Sequence, residues 1–143
     1  MAQVVHPYAL AIVLNEKNQV LLIYRSNTQW LNNHYGLIGG SIEENEPASK
    51  TVMRELFEEA NITTTAQDLE FAHVIHFNGA TKPCVSFVFL VHKWHGEIMN
   101  KEPHKHDHLM WFQVDKLPDN LVPRHRKILE LYHKNIFYSE DSW

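Results

Sequence analysis

Residues 40–62, GSIEENEPASKTVMRELFEEANI, are the stretch that decides the fold of this chain. Pro47 suits the first position of a helix, and Glu46 before it is a candidate cap. The helix is predicted to continue to about Ala60, where Asn61 can adopt the left-handed conformation that ends many helices. The stretch is therefore predicted to be an acidic loop followed by one helix.

Three acids of this helix, Glu55, Glu58 and Glu59, stand at i, i+3 and i+4 and therefore lie on one face. Their arc of about 100° borders the apolar face, so the carboxylates are expected at the edge of the buried side. The apolar positions are Val52, Met53, Leu56, Phe57 and Ala60. Three such charges repel one another, and one must take up a proton unless a cation lies among them. Oxygen ligands at this density suit a hard ion such as Mg²⁺ or Mn²⁺.

Acid-rich helices are more often solvated surfaces than metal sites, and the surrounding residues decide between these interpretations. The stretch resembles the signature of the Nudix hydrolases, G-x5-E-x7-R-E-U-x-E-E-x-G-U, in which U is aliphatic. The positions that match in register are Gly40, Glu46, Arg54, Glu55, Leu56, Glu58, Glu59 and Ile62. With each fixed residue at a usage of about one in fifteen, a chance match is on the order of one in a million. Asn61 replaces a glycine of the signature, and both residues tolerate a positive φ.

The resemblance implies a role for each matching residue. The implied metal ligands, which all offer oxygen atoms, are the side chains of Glu55, Glu58 and Glu59 and the carbonyl group of Gly39. Arg54 would form an ion pair with Glu46 and so orient the carboxylates. Gly40 would let the preceding loop fold back over the helix. The implied chemistry is phosphoryl transfer, in which charge neutralisation and the alignment of a water molecule dominate.

Three residues outside the signature resemble functional residues of MutT-like members of this family. Glu102 is similar to a fourth glutamate that serves as an extra metal ligand and candidate base. Arg25, at the end of an apolar run, corresponds to an arginine that touches the nucleotide. Asn120 resembles an asparagine that reads a purine edge, since its amide is both donor and acceptor. Each residue also has a plain alternative: a loop glutamate, a solvated arginine and a turn asparagine.

Other clusters leave alternatives open. His104, His106 and His108 would share one face of a strand and could chelate zinc, but an exposed edge is favoured because no cysteine lies near. Residues 124–127, Arg-His-Arg-Lys, either steer phosphates or form a solvated surface, and the surface is favoured. Four aromatic residues could stack on a base or pack in the core, and packing is favoured. They are Trp30, Tyr35, Trp94 and Trp111.

The rest of the chain alternates predicted strands with loops. Residues 8–14 and 20–25 are predicted to form a hairpin, whereas residues 26–36 and the Gly39–Gly40 segment are predicted as loops. Further strands are predicted at residues 69–77, at residues 84–91 in the centre of a sheet and covered on both faces, and at residues 109–114. After Pro123 the chain is predicted to close with an amphipathic helix. Its apolar face comprises Ile128, Leu131, Tyr132 and Ile136. This order predicts an α+β fold in one domain, residues 1–143, with a mixed sheet between helical layers as an α/β/α sandwich.

Composition limits the class of protein. The chain has 143 residues, a formal charge of −4 and one cysteine, Cys84, which excludes an intrachain disulfide and predicts a cytoplasmic location. The apolar run at residues 8–14 lacks a basic leader, and no run approaches the roughly 20 apolar residues that span a bilayer. The charge surplus lies in residues 43–59, which disfavours nucleic acid as a partner and favours a cation.

The sequence therefore predicts a Mg²⁺-dependent hydrolase, in which Mn²⁺ can substitute, that converts a nucleoside triphosphate to a monophosphate and pyrophosphate. The main alternative substrate is ADP-ribose or a similar nucleoside diphosphate derivative. That subfamily typically carries a proline after the signature, and this chain has Phe77 and Asn78 in that region. This substrate is therefore disfavoured. A nucleotide-binding module without catalysis is disfavoured by the intact charged pairs of the signature. Isomerisation of isopentenyl diphosphate would need a catalytic cysteine, but Cys84 is predicted in the core. The expected partner is a small-molecule nucleotide, with monomer and homodimer both left open.

Overall fold

The structure is a computed structural model that describes residues 1–28 and 31–143. Trp30, one of the four aromatic candidates, lies outside the described residues. The strands and helices follow in the order β1 (His6–Val13), β2 (Gln19–Arg25), β3 (His34–Gly36), β4 (Ile38–Ser41), α1 (Ala48–Ala60), β5 (Leu69–Asn78), β6 (Pro83–Val91), β7 (His106–Gln113), α2 (Pro123–His133) and β8 (Tyr138–Asp141), with a short 3₁₀ turn at Ala66–Asp68.

The described strands form two sheets. A mixed five-stranded sheet has the order β4-β1-β6-β5-β8, and an antiparallel three-stranded sheet has the order β3-β2-β7. In the larger sheet β1 runs parallel to β6 and β5 runs parallel to β8, while the other neighbours are antiparallel. Helix α1 packs against β1 and β4, and helix α2 packs against β5. The predicted mixed sheet between helical layers is confirmed.

The core lies on both faces of the larger sheet because its central strands carry apolar side chains on both faces. In β1, Ala9, Ala11 and Val13 face the side of α1, whereas Leu10 and Ile12 face the side of α2. Strand β6 lies between β1 and β5, as predicted for a central strand. Two helical layers are therefore needed to remove this sheet from water.

The predicted hairpin of residues 8–14 and 20–25 is wrong, although the polar turn between the strands exists. Leu14 and Val20 form a single antiparallel bridge, after which β1 and β2 enter different sheets. Both edges of β1 are already paired, one with β4 and the other with β6. No edge therefore remains for β2, which pairs with β3 and β7 instead.

Two segments predicted as loops contain strands. Residues 34–36 form β3, and Gly39 and Gly40 lie in β4 rather than in a loop. A Cβ atom at Gly39 would lie 2.7 Å from Cδ2 of Leu10 and 2.8 Å from its Cα. Glycine therefore lets β4 approach β1 closely, and its weak intrinsic strand preference is overridden by this pairing.

Helix α1 begins one residue later than predicted. Pro47 takes the N-cap position itself and α1 starts at Ala48, so Glu46 does not cap it. The side chain of Glu46 instead accepts hydrogen bonds from Thr51 and Arg54. At the other end Asn61 has φ 61° and ψ 26°, which confirms the predicted left-handed cap.

Helix α2 is shorter than predicted. It ends at His133, and Ile136 lies beyond it with 41% of its surface exposed. The buried residues of the helix include Ile128, as predicted, and also Leu129. The following residues form β8, which was not predicted and pairs in parallel with β5. Neither helix of the described residues 1–28 and 31–143 has the length and apolar character needed to cross a membrane.

Candidate active site

Helix α1 presents its three glutamates at different depths. Burial of Val52 and Leu56 against the larger sheet stabilises this orientation by about 1.5–3 kcal/mol for each side chain. The rotation of the helix leaves Glu59 8% exposed, and the side chains of Glu55 and Glu58 are 13% and 48% exposed. The predicted position at the edge of the buried side holds for Glu55 and Glu59, whereas Glu58 reaches solvent.

Strand β4 provides the backbone against which the carboxylates rest. A Cβ atom at Gly40 would collide with Oε1 of Glu55 and lie 2.7 Å from its Cδ. The backbone of Gly39 lies beside the carboxylate of Glu59 and partly opposes the rise in its pKa. The two glycines thus admit both carboxylates to the end of the sheet, a role that the loop prediction did not foresee.

Arg54 connects the glutamates in one ion-pair network. Its Nε and Nη2 atoms donate to Oε2 and Oε1 of Glu46 at 2.9 and 3.0 Å, so the expected ion pair is present. Its Nη1 atom donates to Glu55 at 2.9 Å and to Glu58 at 3.3 Å. Hydrogen bonds from Arg54 and from the Thr51 hydroxyl lower the pKa of Glu46 to about 2. Arg54 is therefore held in place by Glu46 and in turn holds the carboxylate of Glu55.

The buried carboxylates carry unfavourable charge when no cation is bound. Burial raises the pKa of Glu59 well above its ordinary value, and the charges of Glu55 and Glu102 raise it further. Burial also raises the pKa of Glu55, against the opposing effect of Arg54. A proton shared by this pair, or a bound cation, is needed to offset the repulsion. These carboxylate oxygens therefore fit a divalent cation, because the buried charge of Glu59 needs a positive partner.

Glu102 is brought to Glu59 by the segment before β7. The backbone of this segment bonds to the end of α1, with Met99 N–H donating to Ala60 C=O at 3.1 Å. A carboxylate oxygen of Glu102, one of Glu59 and a ring nitrogen of His106 lie within 4.8 Å of one another. Glu102 therefore lies beside Glu59, and His106 joins these two residues.

The histidines of residues 104–108 do not act as a group. His104 and His108 are exposed, as favoured from the sequence, and Nε2 of His108 lies 2.8 Å from the hydroxyl of Tyr35. His106 is only 6% exposed, so the exposed-edge interpretation is wrong for this residue. Burial lowers its pKa, which keeps the ring neutral and one nitrogen lone pair available.

A cavity of about 490 Å³ adjoins the carboxylates, because Gly39 and Gly40 form part of its wall. Arg25, Lys82 and Arg124 also line it. Burial lowers the pKa of the half-buried Arg25, and the charge of Glu59 opposes this shift, so this residue of the cavity wall is also near the acidic cluster. The cavity wall therefore combines three cationic side chains with the two glycines against which the acidic cluster rests.

The segment 124–127 contributes to this cavity, and its interpretation as a solvated surface is wrong for two of its residues. The guanidinium of Arg124 lies 3.8 Å above the ring of Phe77, which also lines the cavity. His125 is buried and accepts a hydrogen bond from the backbone N–H of Leu37 at 3.0 Å. Burial lowers the pKa of His125 to about 3, so the ring is neutral. The sequence offered phosphate steering by these residues only as the less favoured interpretation, because the cavity depends on where α2 meets β5 and β6.

Other candidates lie elsewhere. The amide nitrogen of Asn120 donates to the carbonyl oxygen of Asn33 at 3.1 Å, and the cavity wall, as far as described residues form it, does not include Asn120. Tyr35 contacts the ring of Phe112 at 4.8 Å, and Trp94 stacks on Trp111 at 6.0 Å. These three aromatic candidates therefore pack against other rings, as favoured from the sequence.

Comparisons with known proteins agree with this geometry. A profile of the NUDIX domain family matches residues 4–132. The chain is 28% identical over 125 residues to the 8-oxo-dGTP diphosphatase of Escherichia coli (strain K12), a match that covers 86% of this chain and 95% of that protein. It is also similar to a crystal structure of a MutT NUDIX hydrolase from Burkholderia pseudomallei, with a TM-score of 0.80 and 29% identity over 90% of this chain and 98% of that one.

A bifunctional NMN adenylyltransferase/ADP ribose pyrophosphatase from Francisella tularensis has a TM-score of 0.74 at 20% identity, over 95% of this chain and 42% of that one. At this identity the likeness shows the fold alone. The range that the family profile matches covers most of the chain and includes the residues of the acidic cluster and of the cavity. The chain therefore belongs to the NUDIX domain family, as a MutT-like Nudix hydrolase that acts on acid anhydrides.

Proposed function

We propose that residues 1–143 form a single Nudix hydrolase domain that converts nucleoside triphosphates to nucleoside monophosphates and pyrophosphate with Mg²⁺, for which Mn²⁺ can substitute. The observation that supports this proposal is that Gly39 and Gly40 line the cationic cavity and also lie against the acidic cluster. A nucleoside in the cavity would place its phosphates beside the carboxylates. The three cations of the wall match the negative charge of such a substrate.

The residues that would hold the metal all offer oxygen atoms, and those of Glu59 and Glu102 lie within 4.8 Å of each other. They are the side chains of Glu55, Glu58, Glu59 and Glu102 and the carbonyl group of Gly39. The raised pKa of Glu59 supports this assignment, because a buried carboxylate among other acids needs a positive partner. The bound ion would neutralise phosphate charge and lower the pKa of a water molecule.

The protein side chains perform the remaining tasks. Arg54 holds Glu55 and Glu58 in position, while Glu46 holds Arg54. Glu102, whose side chain is 23% exposed, has access to solvent and would accept the proton of the attacking water. Arg25 would bind a phosphate oxygen near Glu59. This arrangement supports hydrolysis over simple binding, since a binding module would not need buried and mutually repelling acids.

The similarity to the E. coli 8-oxo-dGTP diphosphatase favours a nucleoside triphosphate as the substrate. Asn120 as the residue that reads a purine edge stays a prediction, because its amide is engaged with Asn33. ADP-ribose or a similar nucleoside diphosphate derivative stays the alternative substrate. The cytoplasmic location, the absence of nucleic acid and membrane partners, and the choice between monomer and homodimer also stay predictions.

A product analysis tests the proposal. The protein is incubated with Mg²⁺ and nucleoside triphosphates, ADP-ribose or dinucleoside polyphosphates, and the products are separated by chromatography. We expect monophosphate and pyrophosphate from a triphosphate at the highest kcat/KM. Glu44→Gln, a change at an exposed acid of the same segment, serves as the matched control for Glu59→Gln. Tight nucleotide binding without turnover of any substrate would contradict the proposal and favour a binding module.

A further inference from the structure

His106 is the buried histidine whose role is not explained by the fold. It is the first residue of β7, and it is 6% exposed. One of its ring nitrogens lies within 4.8 Å of a carboxylate oxygen of Glu59 and of Glu102. Its Nδ1 atom is buried and has no hydrogen-bond partner within residues 1–28 and 31–143. Buried side-chain nitrogens nearly always have a partner, so this ring calls for a ligand.

The backbone fixes this ring relative to the acids. The N–H of His106 donates to the carbonyl oxygen of Glu102 at 3.0 Å. The side-chain amide of Asn100 donates to the carbonyl oxygen of His106 at 2.6 Å and accepts from the N–H of Glu102 at 3.0 Å. Glu102 and His106 therefore move as one unit, and the ring is preorganised beside Glu59.

We propose that His106 is a nitrogen ligand of the divalent ion that Glu59 and Glu102 hold, and that it shifts the preference of the site from Mg²⁺ towards Mn²⁺. This inference rests on the proposed function, because it concerns the same ion. Mg²⁺ strongly prefers oxygen ligands, whereas imidazole nitrogen is a good ligand for the later divalent metals. A site with one imidazole therefore discriminates between the two ions more than a site of oxygen atoms alone.

Pulsed electron paramagnetic resonance of the Mn²⁺-loaded protein tests this ligand directly. A coordinated imidazole produces ¹⁴N modulation of the Mn²⁺ electron spin echo, and this signal does not depend on turnover. We expect the modulation in the wild type and in His104→Gln, which changes an exposed histidine of the same segment. We expect it to be lost in His106→Gln.

Metal competition gives a second readout. Glutamine at position 106 offers an oxygen atom in place of the nitrogen, so the preference for Mn²⁺ over Mg²⁺ should fall. Mutation of a residue that only hydrogen-bonds to a metal ligand typically lowers metal affinity by about 10- to 100-fold. Loss of a direct ligand should therefore change the ratio of the Mn²⁺ and Mg²⁺ dissociation constants by about tenfold or more. A merely structural role of His106 would weaken both ions equally.

The outcomes separate this inference from the proposed function. Bound Mn²⁺ without ¹⁴N modulation, or modulation that persists in His106→Gln, would overturn the histidine ligand and leave the carboxylate site intact. Failure of the wild type to bind any Mn²⁺ would overturn both. Circular dichroism checks that His106→Gln is folded. If it is not, wild-type protein labelled with ¹⁵N-histidine carries the test, since the echo must then change from a ¹⁴N to a ¹⁵N pattern, and an unchanged echo refutes the proposal.

Discussion

Replacement of Glu46 by glutamine tests how far one carboxylate outside the acidic cluster controls that cluster. In the native protein Glu46 accepts two hydrogen bonds from Arg54, one from the hydroxyl of Thr51 at 2.6 Å and one from the backbone N–H of Glu43 at 3.2 Å. Glutamine keeps the shape of the side chain but removes the charge that anchors Arg54. It also turns one of the two accepting atoms into a donor, so the contact loses both its charge and an accepted hydrogen bond.

The expected loss of stability in Glu46→Gln follows from the pKa of Glu46, which the hydrogen bonds from Arg54 lower from an ordinary 4.5 to about 2. At 1.36 kcal/mol per unit this difference corresponds to about 3 kcal/mol of interaction with the ionised form. The side chain is 15% exposed, and solvent screening together with the hydrogen bonds that glutamine retains reduces the net loss to about 1–2 kcal/mol.

Urea unfolding at two pH values measures this loss. Because the pKa of Glu46 is lowered in the folded state, its stabilisation is fully present above about pH 4.5 and is lost as the pH falls towards 2. The difference in unfolding free energy between wild type and Glu46→Gln should therefore be about 1–2 kcal/mol near neutral pH. It should shrink progressively as the pH is lowered below 4.5.

The same variant should lose about tenfold in turnover with Mg²⁺, because residues that orient metal ligands are typically worth that much. Glu44→Gln is the matched control, since Glu44 is exposed and close in sequence. Equal stability of wild type and Glu46→Gln at neutral pH would refute the reasoning. An equal loss in Glu44→Gln would also refute it, because the effect would then come from net charge alone.

Three further predictions concern the cluster and the end of α1. Glu59→Gln should lower turnover by at least about two orders of magnitude in steady-state kinetics, with circular dichroism unchanged, because the amide keeps the shape of the ligand but not its charge. Because the pKa of Glu59 is raised in the folded state, the metal-free protein should lose stability as the pH rises above 4.5. Over the same pH range the stabilisation by Mg²⁺, measured by thermal unfolding, should grow, because the ion must displace the proton of Glu59. Asn61→Gly should leave turnover unchanged and cost at most about 1 kcal/mol by urea unfolding, because glycine adopts the φ of 61° freely and only the hydrogen bond to Glu97 is lost.

Specific results would contradict these three predictions. Wild-type turnover in Glu59→Gln would place the metal ligands elsewhere. Stabilisation by Mg²⁺ that is independent of pH would show that Glu59 is already ionised in the metal-free protein. A loss of metal affinity in Asn61→Gly would show that the asparagine does more than end the helix.

Local sequence determined the parts of this protein that depend on neighbours within one helical turn or one motif. The end of α1 at Asn61 and the face shared by the glutamates follow from spacings along one helix. Such spacings fix geometry because the helical repeat is the same in every context. The pairing of Arg54 with Glu46 was expected from the resemblance of the contiguous signature. Family membership was accessible for the same reason, since the signature is contiguous.

Tertiary structure alone decided which distant segments meet. The separation of β1 from β2 depends on competition for strand edges, and the strand at Gly39–Gly40 depends on the approach of β4 to β1. Sequence showed His106 only as one of three similar histidines, yet the packing of the segment before β7 onto α1 buries it beside Glu59. Arg124 likewise reaches the cavity only because the start of α2 lies over Phe77. These contacts arise between residues far apart in the chain, and no local periodicity encodes them.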